Sequence, residues 1–240
     1  MCIRDRISTA NEYEKEIFQT FDRKSNIQII RNGVNLKTLV SKENFKKKYG
    51  INSKFILFVG RFSKSKGIET LVKSINLKKS DLKKSNTCLV IMGVDFGYQE
   101  EMFALIKKLN LSEHIMIIKN PPREDVIAAY GESEFLILPS QWELSPLVPL
   151  ESFAFKKPVI STNSHGIPFT VQNNKTGILV EPENPNQLAD AIKKLLDDDD
   201  LRIKLGESGY NFVHQECNCV SMAKKSLKLY EQVLKNNHNK

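Results

Sequence analysis

The chain has 240 residues, 40% of them hydrophobic and 27% charged, with a formal net charge of +8 at pH 7. These are ordinary values for a soluble globular protein of one large α/β domain or two small ones. No segment reaches the apolar length needed to span a bilayer and no apolar signal region follows the start, so a cytoplasmic protein is expected.

In chain order, residues 1–6 fit no element and are expected to be a truncated or artificial start. Residues 11–21 carry weak helical periodicity, and residues 27–30 read as a short strand ended by the turn dipeptide Asn32-Gly33. Apolar runs without alternation follow at 55–59, 88–92, 115–118, 135–138, 158–161 and 178–180, as in strands covered on both faces. Helical stretches lie between them at 68–76, 98–109, 123–130, 146–155 and 167–172. This alternation predicts an α/β fold with a doubly wound, Rossmann-like parallel sheet. After Val180 three helices are expected, at 186–196, 201–213 and 220–234, with the acidic run Asp197 to Asp200 as a loop between the first two. No internal repeat or low-complexity segment is present.

The basic charge could serve nucleic acid, an anionic membrane surface or a phosphorylated small molecule. Its lysines are dispersed over the polar faces of apparent helices, without any nucleic-acid-binding signature. Cys2, Cys88, Cys217 and Cys219 have neither zinc nor redox spacing and read as reduced thiols. No Ser-His-Asp set and no histidine pair at metal-ligand spacing is legible, and His114, His214 and His238 read as surface residues.

Ligands of open parallel sheets bind beyond the carboxyl ends of the strands, where four polar features fall. The first runs from Gly60-Arg61 to Lys66-Gly67. Gly60 lets backbone approach a ligand, and Arg61 and Lys66 can offer a fork and a point charge to phosphate oxygens at the start of a helix at Gly67. A solvated basic loop is the competing reading.

The second is the pair Glu143 and Glu151. Ser145 is placed as N-cap and Pro146 at the first helical position, which puts Glu151 about two turns into an apolar helix with Leu147, Val148, Leu150 and Phe153 around it. A carboxylate so buried needs a partner or a ligand. Two glutamates at this spacing also occur by chance, so their context carries the signal. The third feature holds His165, either a ligand contact or an exposed loop residue. The fourth, Gly93 to Gly97, is a loop with little chemistry of its own.

Together the ordered pieces Asn32-Gly33-Val34-Asn35, Val59-Gly60-Arg61 with Lys66-Gly67, Pro139-Ser140, Glu143-x7-Glu151, Lys157-Pro158-Val159-Ile160, Gly166-Ile167-Pro168 and Asn174-x-x-Gly177-Ile178-Leu179-Val180 resemble the GT4-type retaining glycosyltransferases of the GT-B fold. The resemblance runs from about residue 26 to about residue 232 and covers only that family's C-terminal, donor-binding half. It implies that residues 1–32 are the end of a missing N-terminal domain with its linker, and that residues 33–240 are the nucleotide-sugar donor domain with C-terminal helices. The implied reaction is transfer of a hexose from a UDP- or GDP-sugar, with retention, to a glycan or lipid-linked acceptor held by the missing domain. The donor half alone would be inactive.

Cell-envelope polysaccharide synthesis, peripheral association with the inner face of the membrane, no metal cofactor and no nucleic-acid partner are further implications. Arg61 and Lys66 would hold the diphosphate and stabilise it as a leaving group, Glu143 would face the transferred sugar, and Glu151 would accept hydrogen bonds from the ribose. Leu147 and Val148 would offer backbone amides, with Gly60 and Ser145 completing the donor-binding set. The chain departs from the family pattern at Glu143-Leu144-Ser145-Pro146, where Glu-Gly-Phe-Gly is frequent, at Phe169, where an acid is common, and at His165, which replaces a glycine. Lys64 is a rival to Lys66, and the Lys66-Gly67 match favours the latter. Two other readings are a stand-alone donor module working with a separately encoded acceptor subunit, and a basic nucleic-acid-binding protein resting on charge alone.

Overall fold

A computed structural model describes residues 6–21, 26–41 and 44–238 of the chain. Most of the expected artificial start, Cys2 and the side chain of His238 lie outside the described residues. The elements run β1 (Ile7–Thr9), α1 (Glu12–Phe21), β2 (Ile27–Ile29), α2 (Phe45–Tyr49), β3 (Lys54–Val59), α3 (Ile68–Leu77), α4 (Lys79–Lys84), β4 (Thr87–Gly93), α5 (Gln99–Lys108), β5 (Ile115–Lys119), α6 (Arg123–Glu132), β6 (Leu136–Leu138), α7 (Val148–Ala154), β7 (Val159–Thr162), β8 (Gly177–Val180), α8 (Pro185–Asp197), α9 (Asp199–Gln215) and α10 (Cys219–His238).

Strands β3 to β8 form a six-stranded parallel sheet in the order β5-β4-β3-β6-β7-β8. The unbroken apolar runs are explained by burial on both faces. Ile56, Phe58, Leu89, Ile91, Ile137 and Ile160 point to one side, against α3, α5 and α8. Phe55, Leu57, Val90, Met92, Leu136 and Val159 point to the other, against α2, α6, α7 and α9. Side chains alternate along a strand, so every position of such a run must be apolar when helices cover both faces.

The chain leaves β3 toward β4 and β5, then returns to the far side of β3 as β6, where Leu57 pairs with Leu136. The connections therefore diverge between β3 and β6, and the loops at their carboxyl ends are drawn apart to leave a crevice. The predicted doubly wound sheet is the observed one.

A separate two-stranded parallel sheet pairs β1 with β2. It is tied to the main body by Asn11 Nδ2 donating to the Leu144 carbonyl at 2.6 Å, Arg31 donating to the Phe169 carbonyl at 3.1 Å and Arg6 donating to Gln232 Oε1 of α10 at 3.0 Å. Two sequence expectations are corrected here. Residues 167–172 make only a 3-10 turn at Ile167–Phe169. The acidic run is no loop: α8 continues to Asp197, and Asp198 caps α9 by accepting from the Leu201 amide at 2.8 Å.

Candidate functional site

Above the switch point the loops after β3 and β6 face each other across a groove of about 680 Å³. Its lining includes Gly60, Arg61, Lys66, Glu143, Ser145, Leu147 and Val148, so seven of the eight sequence-predicted site residues meet in one place. Lys64 is exposed outside this lining.

Backbone contacts tie the loop after β3 to the loops after β4 and β6. Phe62 N donates to the Val94 carbonyl at 2.7 Å, and Gln141 N to the Ser65 carbonyl at 2.8 Å. Lys64–Lys66 form a 3-10 turn that ends at Gly67, whose left-handed backbone (φ 67°) opens α3. A Cβ on Gly67 would lie 1.9 Å from the Pro139 carbonyl oxygen. Glycine is what lets the Lys66 turn close onto the end of β6.

This approach brings Lys66 Nζ into an ion pair with Glu143 Oε1, which also accepts from Ser140 Oγ at 3.0 Å. Both partners of the ion pair are mostly buried, with side-chain exposures of 23% and 16%. Loop 140–143 is fixed from beneath as well: Thr162 Oγ1 donates to the Ser140 carbonyl at 2.5 Å, Ser164 Oγ to the Gln141 carbonyl at 2.7 Å and Gly166 N to the Glu143 carbonyl at 3.0 Å. Glu143 is thus held on a rigid support in spite of its loop position.

Arg61 is held differently. Its guanidinium lies 4.5 Å from the ring centroid of Phe96, and among the described residues it has no carboxylate within ion-pair distance. Asp95 braces the Phe96 loop by accepting from the Gly97, Tyr98 and Gln99 amides at 3.0–3.1 Å. Lys66 is neutralised by Glu143, whereas Arg61 is not, so among the described residues the groove lining carries one cation in excess. Lys66 has three donors and can hold Glu143 and an incoming anion together.

Phe96 and Trp142 both line the groove and are about half exposed. The sequence reading assigned neither, although Phe96 sits in the strand-end loop credited with little chemistry. His165 is exposed, with its ring 6.0 Å from Trp142 and 5.4 Å from Tyr13, and its Nδ1 is 2.5 Å from Ser164 Oγ.

The glutamate helix differs from expectation. It starts at Val148 with Leu147 as an uncapped N-cap, and Pro149, not Pro146, occupies its first positions. A helix begun at Pro146 would have required Pro149 to donate the first intrahelical bond, to the Ser145 carbonyl, and proline has no N–H. Glu151 therefore lies in the first turn. Its carboxylate is 13% exposed and already partnered within the chain. Arg123 binds it with both terminal nitrogens, at 2.5 and 3.2 Å, and the buried Tyr130 hydroxyl donates to it at 2.9 Å.

The hydrogen bonds that Arg123 donates to Glu151 hold its guanidinium above its ordinary value. Burial, reinforced by the Glu151 charge, pushes the Tyr130 phenol well above its own. Glu151 is not part of the groove lining. Its partners, Arg123 and Tyr130, went unassigned in the sequence because they lie 28 and 21 residues away.

A family model described as "Glycosyl transferases group 1" matches residues 41–212. The D-inositol 3-phosphate glycosyltransferase of Corynebacterium jeikeium is 32% identical over 171 residues, covering 69% of this chain and 41% of that protein. A solved glycosyltransferase from Rickettsia africae superposes with a TM-score of 0.85 at 28% identity, over 97% of this chain and 64% of that one. The Anabaena protein HepE, solved in complex with UDP-glucose, superposes with a TM-score of 0.83 at 17% identity, over 95% of this chain and 64% of that one. The chain thus spans less than two thirds of the length of each.

Proposed function

Since the chain belongs to the group 1 glycosyl transferases, we propose that the groove over β3 and β6 takes the diphosphate and sugar of a UDP- or GDP-linked donor, for transfer of a hexose with retention. The observation that carries this reading is the meeting of Arg61, Lys66 and Glu143 in one groove at the switch point of the sheet. That the Anabaena neighbour was solved with UDP-glucose supports it.

In this reading Arg61 and Lys66 meet the charge that grows on the diphosphate as the glycosidic bond breaks, without a metal. Because both are already fixed, by Phe96 and by Glu143, little reorganisation is needed as that charge develops. Glu143 presents an acceptor to the hydroxyls of the transferred sugar, and the first amides of α7, at Leu147 and Val148, add donors that lack intrahelical acceptors. Glu151 receives the ribose hydroxyls beside Arg123, which already orients its carboxylate.

The acceptor, a glycan or lipid-linked molecule, belongs to a further α/β unit with which residues 1–32 are grouped. A two-stranded parallel sheet is poorly self-sufficient, since parallel strands are normally covered on both faces. Here α1 has no buried residue, and its Ile17, Phe18 and Phe21 are exposed, as expected of a fragment of a larger layer. Closure of the two units would bring acceptor to donor and exclude water. Among the described residues no helix is long and apolar enough to cross a membrane; action on a lipid-linked acceptor would require peripheral association.

Calorimetric titration with UDP and with GDP tests the donor reading. One of them binds, and Arg61→Ala weakens it at least about tenfold, the loss expected for one charge-assisted contact. Equal affinity in the variant overturns the assignment.

A further inference from the structure

At the opposite, amino ends of β3 and β4 lies a second cavity of about 630 Å³, lined by residues that include Lys79, Lys83, His114, Ser53, Asn76 and Asn86. This volume is within the usual range for small-molecule sites. Strand β3 has six residues and spans about 20 Å, so the cavity is a separate place from the groove at its other end.

The cavity is electrostatically unbalanced. On the neighbouring surface lysines are matched: Lys78 pairs with Asp190 at 2.8 Å, and Lys193 with Asp81 at 3.5 Å. The cavity lysines are not. Lys79 is steadied by a neutral backbone carbonyl, that of Asn110 at 2.9 Å, and Lys83 has no carboxylate within ion-pair distance among the described residues. Among the described residues Glu113 is the one acid in the lining.

His114, expected to be a surface residue, is instead half-buried in the wall. Burial lowers its pKa, the Lys79 and Lys83 charges lower it further, and only Glu113 opposes them. Burial and the nearby ammonium groups thus act in the same direction on an imidazole that shares the cavity wall with Lys79 and Lys83. An arriving dianion would reverse that balance and convert His114 into a third donor cation. Ser53, Ser80, Asn76 and Asn86 add neutral donors and acceptors suited to hydroxyl groups.

We propose that this cavity binds a small phosphorylated, hydroxyl-bearing molecule through Lys79, Lys83 and His114. The cations take the phosphate dianion, and the Asn and Ser side chains take the hydroxyls. A bare phosphate would leave most of the volume empty, so a phosphate ester is the fitting class.

The test is an NMR titration of the His114 ring with glucose 6-phosphate at pH 7, with glucose and inorganic phosphate as comparison probes. Saturable movement of the His114 resonances with an upward shift of its titration midpoint is expected, with weaker binding of phosphate and none of glucose. Replacing both lysines (Lys79→Gln with Lys83→Gln) weakens binding at least about tenfold, and Glu113→Gln tightens it. Arg61→Ala, which disables the groove, leaves the response unchanged, so this site stands or falls apart from the donor reading. No saturable response, an equal response to glucose, undiminished binding in the lysine variant, or loss in Arg61→Ala would each overturn the proposal.

Discussion

Gly67 offers the sharpest test of how the groove is built, because a second glycine supplies its control. Gly50 and Gly67 share φ 67°, with ψ 31° and 24°. An alanine Cβ at Gly50 meets nothing within 4 Å, whereas at Gly67 it meets the Pro139 carbonyl oxygen at 1.9 Å. Gly50→Ala should therefore cost only the left-handed penalty, about 1–2 kcal/mol. Gly67→Ala adds a clash that backbone must relieve by about 1.1 Å, from 1.9 Å to the 3.0 Å that real contacts respect. Overpacking of this kind costs about 1–3 kcal/mol more, a total of about 2–5 kcal/mol against a typical domain stability of about 5–15 kcal/mol. Urea unfolding with unchanged m-values reads both variants. Moving the Lys66 turn off β6 should also weaken nucleotide binding in Gly67→Ala and leave Gly50→Ala unaffected. Equal stability losses in the two variants would refute the close approach of the loops.

Acid unfolding should report on the buried Asp125. Burial acts to raise its pKa, but hydrogen bonds from Lys48 and Tyr49, each 2.6 Å long, and the Lys48 charge outweigh it and hold the carboxyl below its ordinary value. Its contribution is complete above the ordinary carboxylate range and is lost as pH falls through the depressed folded value. Asp125→Asn should cost about 1.5–3 kcal/mol at pH 7 and flatten the stability curve below about pH 4; an unchanged acid limb would contradict this. The Tyr49 phenol is pushed up to about 12, first by burial and then by Asp125. Stability tied to it is complete below its unfolded value of about 10 and falls as pH rises through about 12, which ultraviolet titration of tyrosinate against unfolding would check. At Glu151, Tyr130→Phe removes a buried donor to a charged acceptor and should cost about 1.5–3 kcal/mol. Arg123 is 55% exposed, so Arg123→Ala should cost about 1 kcal/mol or less; the reverse ranking in urea unfolding would show that the ion pair dominates. Phe96→Leu should leave stability unchanged and weaken nucleotide binding about two- to fivefold, the value of an exposed cation–π stack; unaltered affinity would mean that Phe96 does not hold Arg61.

The sheet was legible because each of its strands is buried on both faces, which forces unbroken apolar runs whose limits agree with the observed strands to within one residue. Some shorter or more polar elements were not. β1 is only Ile7–Thr9, and α2 and α4 are lysine-rich helices of five and six residues with one buried apolar side chain each. The groove was legible through topology, since polar residues at strand ends must gather at the switch point. What could not be read were contacts set by distant packing, such as Arg123 and Tyr130 on Glu151, and Phe96 under Arg61. The start of α7 was misjudged because two prolines, Pro146 and Pro149, each signal a helix entry. Only the need for a donor at the fourth helical position decides between them.

The most direct measurement is a crystal structure of the protein grown with UDP, or with GDP where that binds more tightly. The diphosphate should lie between the Arg61 guanidinium and Lys66 Nζ, with the ribose toward Glu151 and the open end of the groove at Glu143. A nucleotide bound elsewhere, with Arg61 and Lys66 untouched, would contradict the account.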